Sequence, residues 1–226
     1  MKQQIHKTSP LPAFIDLIIF LGIMFLVRTI YIDALGFWGN ALFKSMSTVG
    51  VATLLLYFRG QSWRDLGLIK PGNFLRMAGI VAITLIGTIA SIMVFELFFR
   101  ELIFGVETTS SASGIDFENA KSSASILVTT LIFVWIESCL EELQDRGFSL
   151  NRLESLFSKP YVSTIMAVLL QAVIFGFRHS YDFSPRSVTT GLIGLVFGIV
   201  YVLTGRNLWP LIIAHILLNT SSVLDG

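Results

Sequence analysis

The chain has 226 residues, of which 54% are hydrophobic and 14% charged, with 19 Phe, one Cys and a net charge of +1. Ordinary soluble domains carry about 25% charged residues, and no soluble fold of this size has enough interior for so much apolar surface. Disorder, fibres, a disulfide framework and a polyanion-binding surface are excluded by the same arithmetic, so no nucleic-acid partner is expected.

Seven apolar stretches follow in chain order: Phe14–Val27, Ala34–Phe58 (broken only by Lys44), Met77–Phe95, Ser122–Ile136, Pro160–Phe177, Ser187–Gly205 and Asn207–Leu224. With their flanks, each reaches the roughly 17–25 residues needed to cross a bilayer. Lys2 and Lys7 precede the first stretch as in a secretory signal, but Val27-Arg28-Thr29-Ile30-Tyr31 offers no small-residue cleavage pattern, which favours a retained span. No stretch alternates like an outer-membrane strand. The expected fold is therefore all-α: a polytopic transmembrane helical bundle of seven spans, or eight with a further or re-entrant segment. Residues 1–121 form a three-helix membrane region and 122–226 a helical core, joined in one integrated domain.

Counting Lys and Arg on alternate loops places Lys2, Lys7, Arg59, Arg64, Lys70, Arg76, Arg146, Arg152, Lys159 and Arg206 on one side. Arg28, Lys44, Arg100, Lys121, Arg178 and Arg186 fall on or near the other. The loop from Arg100 to Lys121 on that poorer side also carries Glu101, Glu107, Asp116 and Glu118. The expectation is a multi-pass protein of the cell membrane with a cytoplasmic amino terminus and its carboxyl terminus outside.

Ionisable groups within the spans carry the chemistry, because a charge at mid-bilayer costs about 2.5–3.5 kcal/mol even on lenient insertion scales and normally faces the bundle interior. In the fourth segment Glu142 and Arg146 are an i,i+4 pair, while Glu137 and Glu141 share a face about 100° away. Arg146 can thus neutralise Glu142 and leave Glu141 free to point into a cavity; the other reading is a purely structural ion pair. In the fifth segment Phe175 and His179 lie on one face, and in the seventh His215 and Asn219 do. Each could equally be an interfacial residue or an interhelical hydrogen bond.

Glu141-Glu142-x-x-x-Arg146, Phe175-x-x-x-His179 and His215-x-x-x-Asn219, in that order, resemble the CPBP intramembrane protease family, which includes type II CAAX-prenyl endopeptidases and Abi-type bacteriocin-immunity proteins. Gly191 through Tyr201-Val202-Leu203-Thr204-Gly205 to Asn219 is similar to the family's last two core helices, and Ser62-Trp63-Arg64-Asp65-Leu66-Gly67-Leu68 to a segment found upstream of that core. One departure stands out. The family usually has apolar or aromatic residues before the Arg-Gly, whereas this chain has Gln144-Asp145, and Asp145 could compete for Arg146.

The resemblance implies an endopeptidase acting on a peptide or protein at the lipid bilayer, including prenylated ones. It implies that Glu141 and His179 activate water, that His215 and Asn219 stabilise the oxyanion, and that Glu142, Arg146 and Phe175 support them. Glu141, His179 and His215 would also make a Glu/His/His zinc site with one open position. The absence of a His-Glu-x-x-His pair and of a Cys-rich set favours a metal-free, glutamate-driven site. No Gly-x-Ser-x-Gly is present, Tyr181-Asp182 has no second intramembrane Asp motif, and Cys139 lies about 200° round the helix from Glu141. A non-catalytic immunity or scaffold protein and a proton-coupled transporter using Glu141 and Glu142 are the other functional classes.

Overall fold

The computed structural model describes residues 8–105 and 124–225. These described residues form seven long helices: α1 (Pro10–Arg28), α2 (Gly36–Phe58), α3 (Phe74–Phe104), α4 (Ala124–Glu154), α5 (Pro160–Ser180), α6 (Pro185–Leu203) and α7 (Leu208–Asp225). The first six are long and apolar enough to cross a membrane, and the apolar part of α7, Leu208–Leu224, is shorter. The molecule is thus the all-helical polytopic bundle that the composition demands.

Local sequence explains the boundaries. Pro10, Pro160 and Pro185 open their helices, where a missing N–H costs nothing. The Asn73 side chain caps α3 by accepting from the Arg76 N–H at 3.0 Å. Asn40 holds the α1–α2 connection, accepting from the Ile32 N–H at 2.8 Å and donating to the Ile32 carbonyl at 2.9 Å. Along α1 the buried residues Ala13, Asp16, Leu17, Phe20, Met24 and Val27 recur every three or four positions. Phe14, Ile15 and Ile18 are exposed on the other side, as a lipid-facing surface requires.

α4 runs well past the apolar stretch that marks it in the sequence. It contains a wide π turn, Leu143–Ser149, every residue of which is buried. One extra residue per turn there shifts the phase of everything beyond Glu142, and π turns are frequent at functional sites.

Helices α5 and α6 make the closest pair, and glycines allow it. A Cβ on Gly176 would sit 2.3 Å from the Ser187 carbonyl oxygen, and one on Gly194 would meet the Phe175 Cδ1 at 3.1 Å and the Ala172 Cα at 3.2 Å. Gly176→Ala is therefore expected to force the helices apart at a cost of about 1–3 kcal/mol and to displace His179 three residues on. Unfolding of the purified protein, compared with Gly22→Ala, whose Cβ would meet nothing within 4 Å, measures this. Equal stability of the two variants would contradict the packing argument.

The segment Ser62–Leu68 is a wedge at the end of the bundle where α1 begins. Gly67, at φ +101°, lies so close to the α6–α7 turn that a Cβ would be 2.0 Å from the Arg206 carbonyl oxygen. Its own carbonyl accepts from the Leu208 N–H at 2.9 Å, and the Tyr201 hydroxyl donates to the Leu66 carbonyl at 2.7 Å. Trp63 packs on Gly147, the residue after Arg146. At the same end, buried Asp16 pairs with Arg59 (2.8 Å) and Arg152 (3.0 Å), and Arg206 pairs with Glu154 (2.9 Å).

The charge count needs correction accordingly. Arg146 and Arg152 are fully buried and Arg178 nearly so; none is a loop charge. Removing them changes ten against six into eight against five and keeps the sign. Lys2, Lys7, Lys121, Glu107, Asp116 and Glu118 lie outside the described residues.

Candidate active site

α4, α5 and α7 converge near the middle of the bundle. Glu142, the second glutamate of the pair, is wholly buried and accepts from the Arg146 Nη1 at 3.0 Å, the expected i,i+4 contact. The same oxygen, Oε1, accepts from the His215 Nδ1 at 2.8 Å. The remaining faces of the Arg146 guanidinium are covered by the Phe175 and Phe197 rings, whose centroids lie 4.5 and 5.0 Å from its Cζ. Two of its nitrogens, Nε and Nη2, have no hydrogen-bond acceptor among the described residues, and the ring faces supply an electrostatic partner.

Glu141 turns the other way, into open space. Its Oε1 is 3.6 Å from the His179 Nε2, and its Oε2 is 3.5 Å from the His215 Nε2. Both separations are long for direct hydrogen bonds, and the cavities beside them leave room for a water that touches the carboxylate and an imidazole. The tautomers follow from the far sides of the rings. His179 Nδ1 is 2.6 Å from the Phe175 carbonyl, which can only accept, so Nδ1 carries the hydrogen. His215 Nδ1 donates to the Glu142 carboxylate. When each ring is neutral, both Nε2 lone pairs are left bare and directed at the Glu141 carboxylate.

Arg178 is the residue that sequence reasoning misplaced. It lies 3.3 Å from Glu141 Oε1 and 2.8 Å from Asp145 Oδ2. Asp145 therefore does not take Arg146 from Glu142, as the unusual Gln144-Asp145 pair suggested it could; it is buried and pairs with Arg178 across the α4–α5 interface. The i+3 spacing from Phe175 is the available signal, whereas the charge count takes Arg178 only as one of the charges on or near the poorer side.

Asn219 lies one turn beyond His215 and lines the same cavity, with its amide NH₂ donating to the Ser138 Oγ at 3.0 Å. Ser138 donates in turn to the Val134 carbonyl at 2.7 Å. Glu137, one turn before Glu141, accepts from the Ser45 Oγ of α2 at 2.5 Å. Sequence reading alone did not pair Ser45 or Ser138 with the site. Cys139 is a free thiol packed against the hydrophobic core rather than against Glu141.

Two cavities meet at Glu141 and His179. One, of about 370 Å³, lies toward α1 and α2 and includes Arg28, Lys44, Thr48 and Arg178. The other, of about 460 Å³, lies toward α3, α6 and α7 and includes Glu137, Arg186, His215 and Asn219. A larger and almost wholly apolar groove between α1, α5 and α6 touches neither Glu141 nor the histidines.

The residues as placed do not fit a metal ion. Among the described residues no three His, Cys, Asp or Glu side chains form a group able to hold one. The tautomers would suit ligands, but the Arg178 guanidinium stands 3.3 Å from the Glu141 Oε1. A dication there would have to sit beside that fixed positive charge.

Comparison with known proteins agrees with the motif order. Residues 123–221 match the family model described as type II CAAX prenyl endopeptidase Rce1-like. That segment, from the residue before α4 to Ser221 within α7, is similar to this family, in line with the resemblance to CPBP intramembrane proteases. No curated protein and no solved structure matches the chain. At family level the match supports a CAAX-type protease, and with the apolar helices it marks a multi-pass membrane protein.

Proposed function

We propose that the chain is an intramembrane endopeptidase that hydrolyses a peptide bond in a membrane-associated peptide or protein, prenylated substrates included, without a metal. The observation that carries this reading is the approach of two imidazole Nε2 atoms to the Glu141 carboxylate at 3.5 and 3.6 Å, where two cavities meet. A water between Glu141 and His179 gives its proton to one of these two acceptors as its oxygen attacks the scissile carbonyl. The same proton passes to the amide nitrogen when the C–N bond breaks, so the products are a carboxylate and an amine. Glu142 and Arg146 fix the register of the glutamate pair and the ring of His215, and Arg178 pairs with Glu141 and orients it.

The developing oxyanion faces His215 and Asn219. With its Nδ1 hydrogen committed to Glu142, His215 can donate from Nε2 only as imidazolium, whereas Asn219 donates in any state. Asn219→Ala is expected to lower kcat by about 10²–10³ with little change in KM. Recovery of most of that activity on adding zinc would instead make Asn219 a residue that orients a metal ligand.

The eight-to-five Lys and Arg balance supports a cytoplasmic amino terminus. Arg28 and Tyr181, which line the first cavity, follow the last residues of α1 and α5 or end them, so the site opens toward the opposite face. Reporter fusions after Gly60 and after Asp182 are expected to report cytoplasm and exterior respectively, and the reverse pattern would invert the proposed orientation.

The direct test of function is incubation of the reconstituted protein with a panel of lipid-anchored peptides, with both fragments identified by mass spectrometry. Absence of paired fragments from every peptide, with a folded protein, would favour a scaffold or transporter.

A further inference from the structure

We propose that Lys44 anchors a carboxylate of the substrate, and that the cavity it lines holds the acidic end of the bound peptide; this inference rests on the endopeptidase reading above. Lys44 is the only charged residue of α2. It stands eight residues into the helix, about 12 Å below its start at 1.5 Å per residue. A lysine at such a depth marks a functional site unless it is paired within the protein. Among the described residues Lys44 has no ion pair within 4 Å, whereas the buried cations Arg146, Arg152 and Arg178 all do. Its side chain lines the cavity whose inner wall is Glu141 and His179.

The acids around the site are already engaged. Glu141 and Asp145 face Arg178, and Glu137 accepts from Ser45. The cavity therefore offers an ammonium with three donors, and the one acid in its lining, Glu141, is held by Arg178. An ammonium in a cleft within the helical bundle selects a carboxylate, either the free carboxyl terminus of a peptide or an Asp or Glu side chain near the scissile bond. Arg28, exposed at the rim of the same cavity, adds a second positive charge on the entry path. A peptide lying from this cavity into the second one would cross Glu141 and His179 on the way. The carboxylate would then set which bond is presented.

The competing role for Lys44 is to offset the acids Glu137, Glu141, Glu142 and Asp145, which outnumber Arg146 and Arg178. Binding measurements separate the two. The probe is a short palmitoylated fluorescent peptide in three forms: free carboxyl terminus, carboxyl-terminal amide, and amide with one internal Asp. Each is titrated into nanodiscs containing the Glu141→Gln protein, which removes turnover from the measurement. At least one carboxylate form is expected to bind about ten- to a hundred-fold tighter than the plain amide, the range of a charge-assisted hydrogen bond; which form does so identifies the source. Lys44→Met should abolish that discrimination, Lys44→Arg should retain much of it, and Arg186→Met, in the other cavity, should leave it intact.

Equal binding of the three forms, no binding of any, or discrimination that survives Lys44→Met would overturn the proposal. So would a Lys44→Met protein that loses affinity for all three forms equally, the signature of charge balance alone. Hydrolysis of the same peptides by the unmodified protein is scored separately, so a failure of the endopeptidase reading is not mistaken for a failure of the carboxylate site.

Discussion

Glu141→Gln is expected to remove turnover while leaving the bundle folded. The Glu141 side chain is partly exposed to the cavities, and its oxygens face the two imidazoles at 3.6 and 3.5 Å. An amide of the same shape fills the space but cannot accept the water's proton. Loss of a positioned proton acceptor costs about 10²–10⁴-fold in rate. Because Arg178 retains Asp145 at 2.8 Å, it is not left alone by the change. The measurement is kcat on a peptide cleaved by the unmodified protein, together with unfolding of both proteins in the same lipid. Turnover within a few-fold of the original would exclude Glu141 as the proton acceptor.

Glu142→Gln is expected to do the opposite, damaging the fold first. Its carboxylate is wholly buried and receives both the Arg146 guanidinium and the His215 Nδ1 on one oxygen. The amide can still accept a hydrogen bond but supplies no charge, and Arg146, enclosed by Phe175 and Phe197, has no other acid to turn to in the ion pairs it makes. Removing one partner of a buried pair costs about 3–5 kcal/mol, a large share of the stability of an ordinary domain. Folded yield and resistance to unfolding should fall sharply. His215, freed from Glu142, would also lose its fixed tautomer, so any surviving protein should be impaired. A stable but inactive Glu142→Gln beside a misfolded Glu141→Gln would exchange the roles assigned to the two glutamates.

The two variants differ because neighbouring residues on one helix face different surroundings, and much of that difference was legible in the sequence. Helical geometry alone places Glu142 over Arg146 and turns Glu141 away by about 100°. Composition alone requires a membrane bundle, since its apolar residues exceed what a soluble interior of this size can bury. The order of the Glu-Glu-Arg, Phe-His and His-Asn motifs anticipates a family match that spans α4 to α7.

Contacts between helices were not legible, because they depend on rotation and register that no local rule supplies. The π turn from Leu143 to Ser149 changes the angular phase after Glu142, so Asp145 meets Arg178 of α5 instead of competing for Arg146. The glycines of α5 and α6 draw these helices together, and that approach buries an arginine which the charge count had placed in a loop. Likewise Glu142 with His215, Ser138 with Asn219, and Ser45 with Glu137 are pairs separated by many residues. The sequence by itself determined the membrane class, the helices and each i,i+4 pair, since these follow from composition and a fixed helical period. Only the tertiary structure decided which acid holds which base and that Lys44 lines the cavity beside Glu141 without an ion pair among the described residues, because those partnerships exist only after packing has set the helices' rotation and depth.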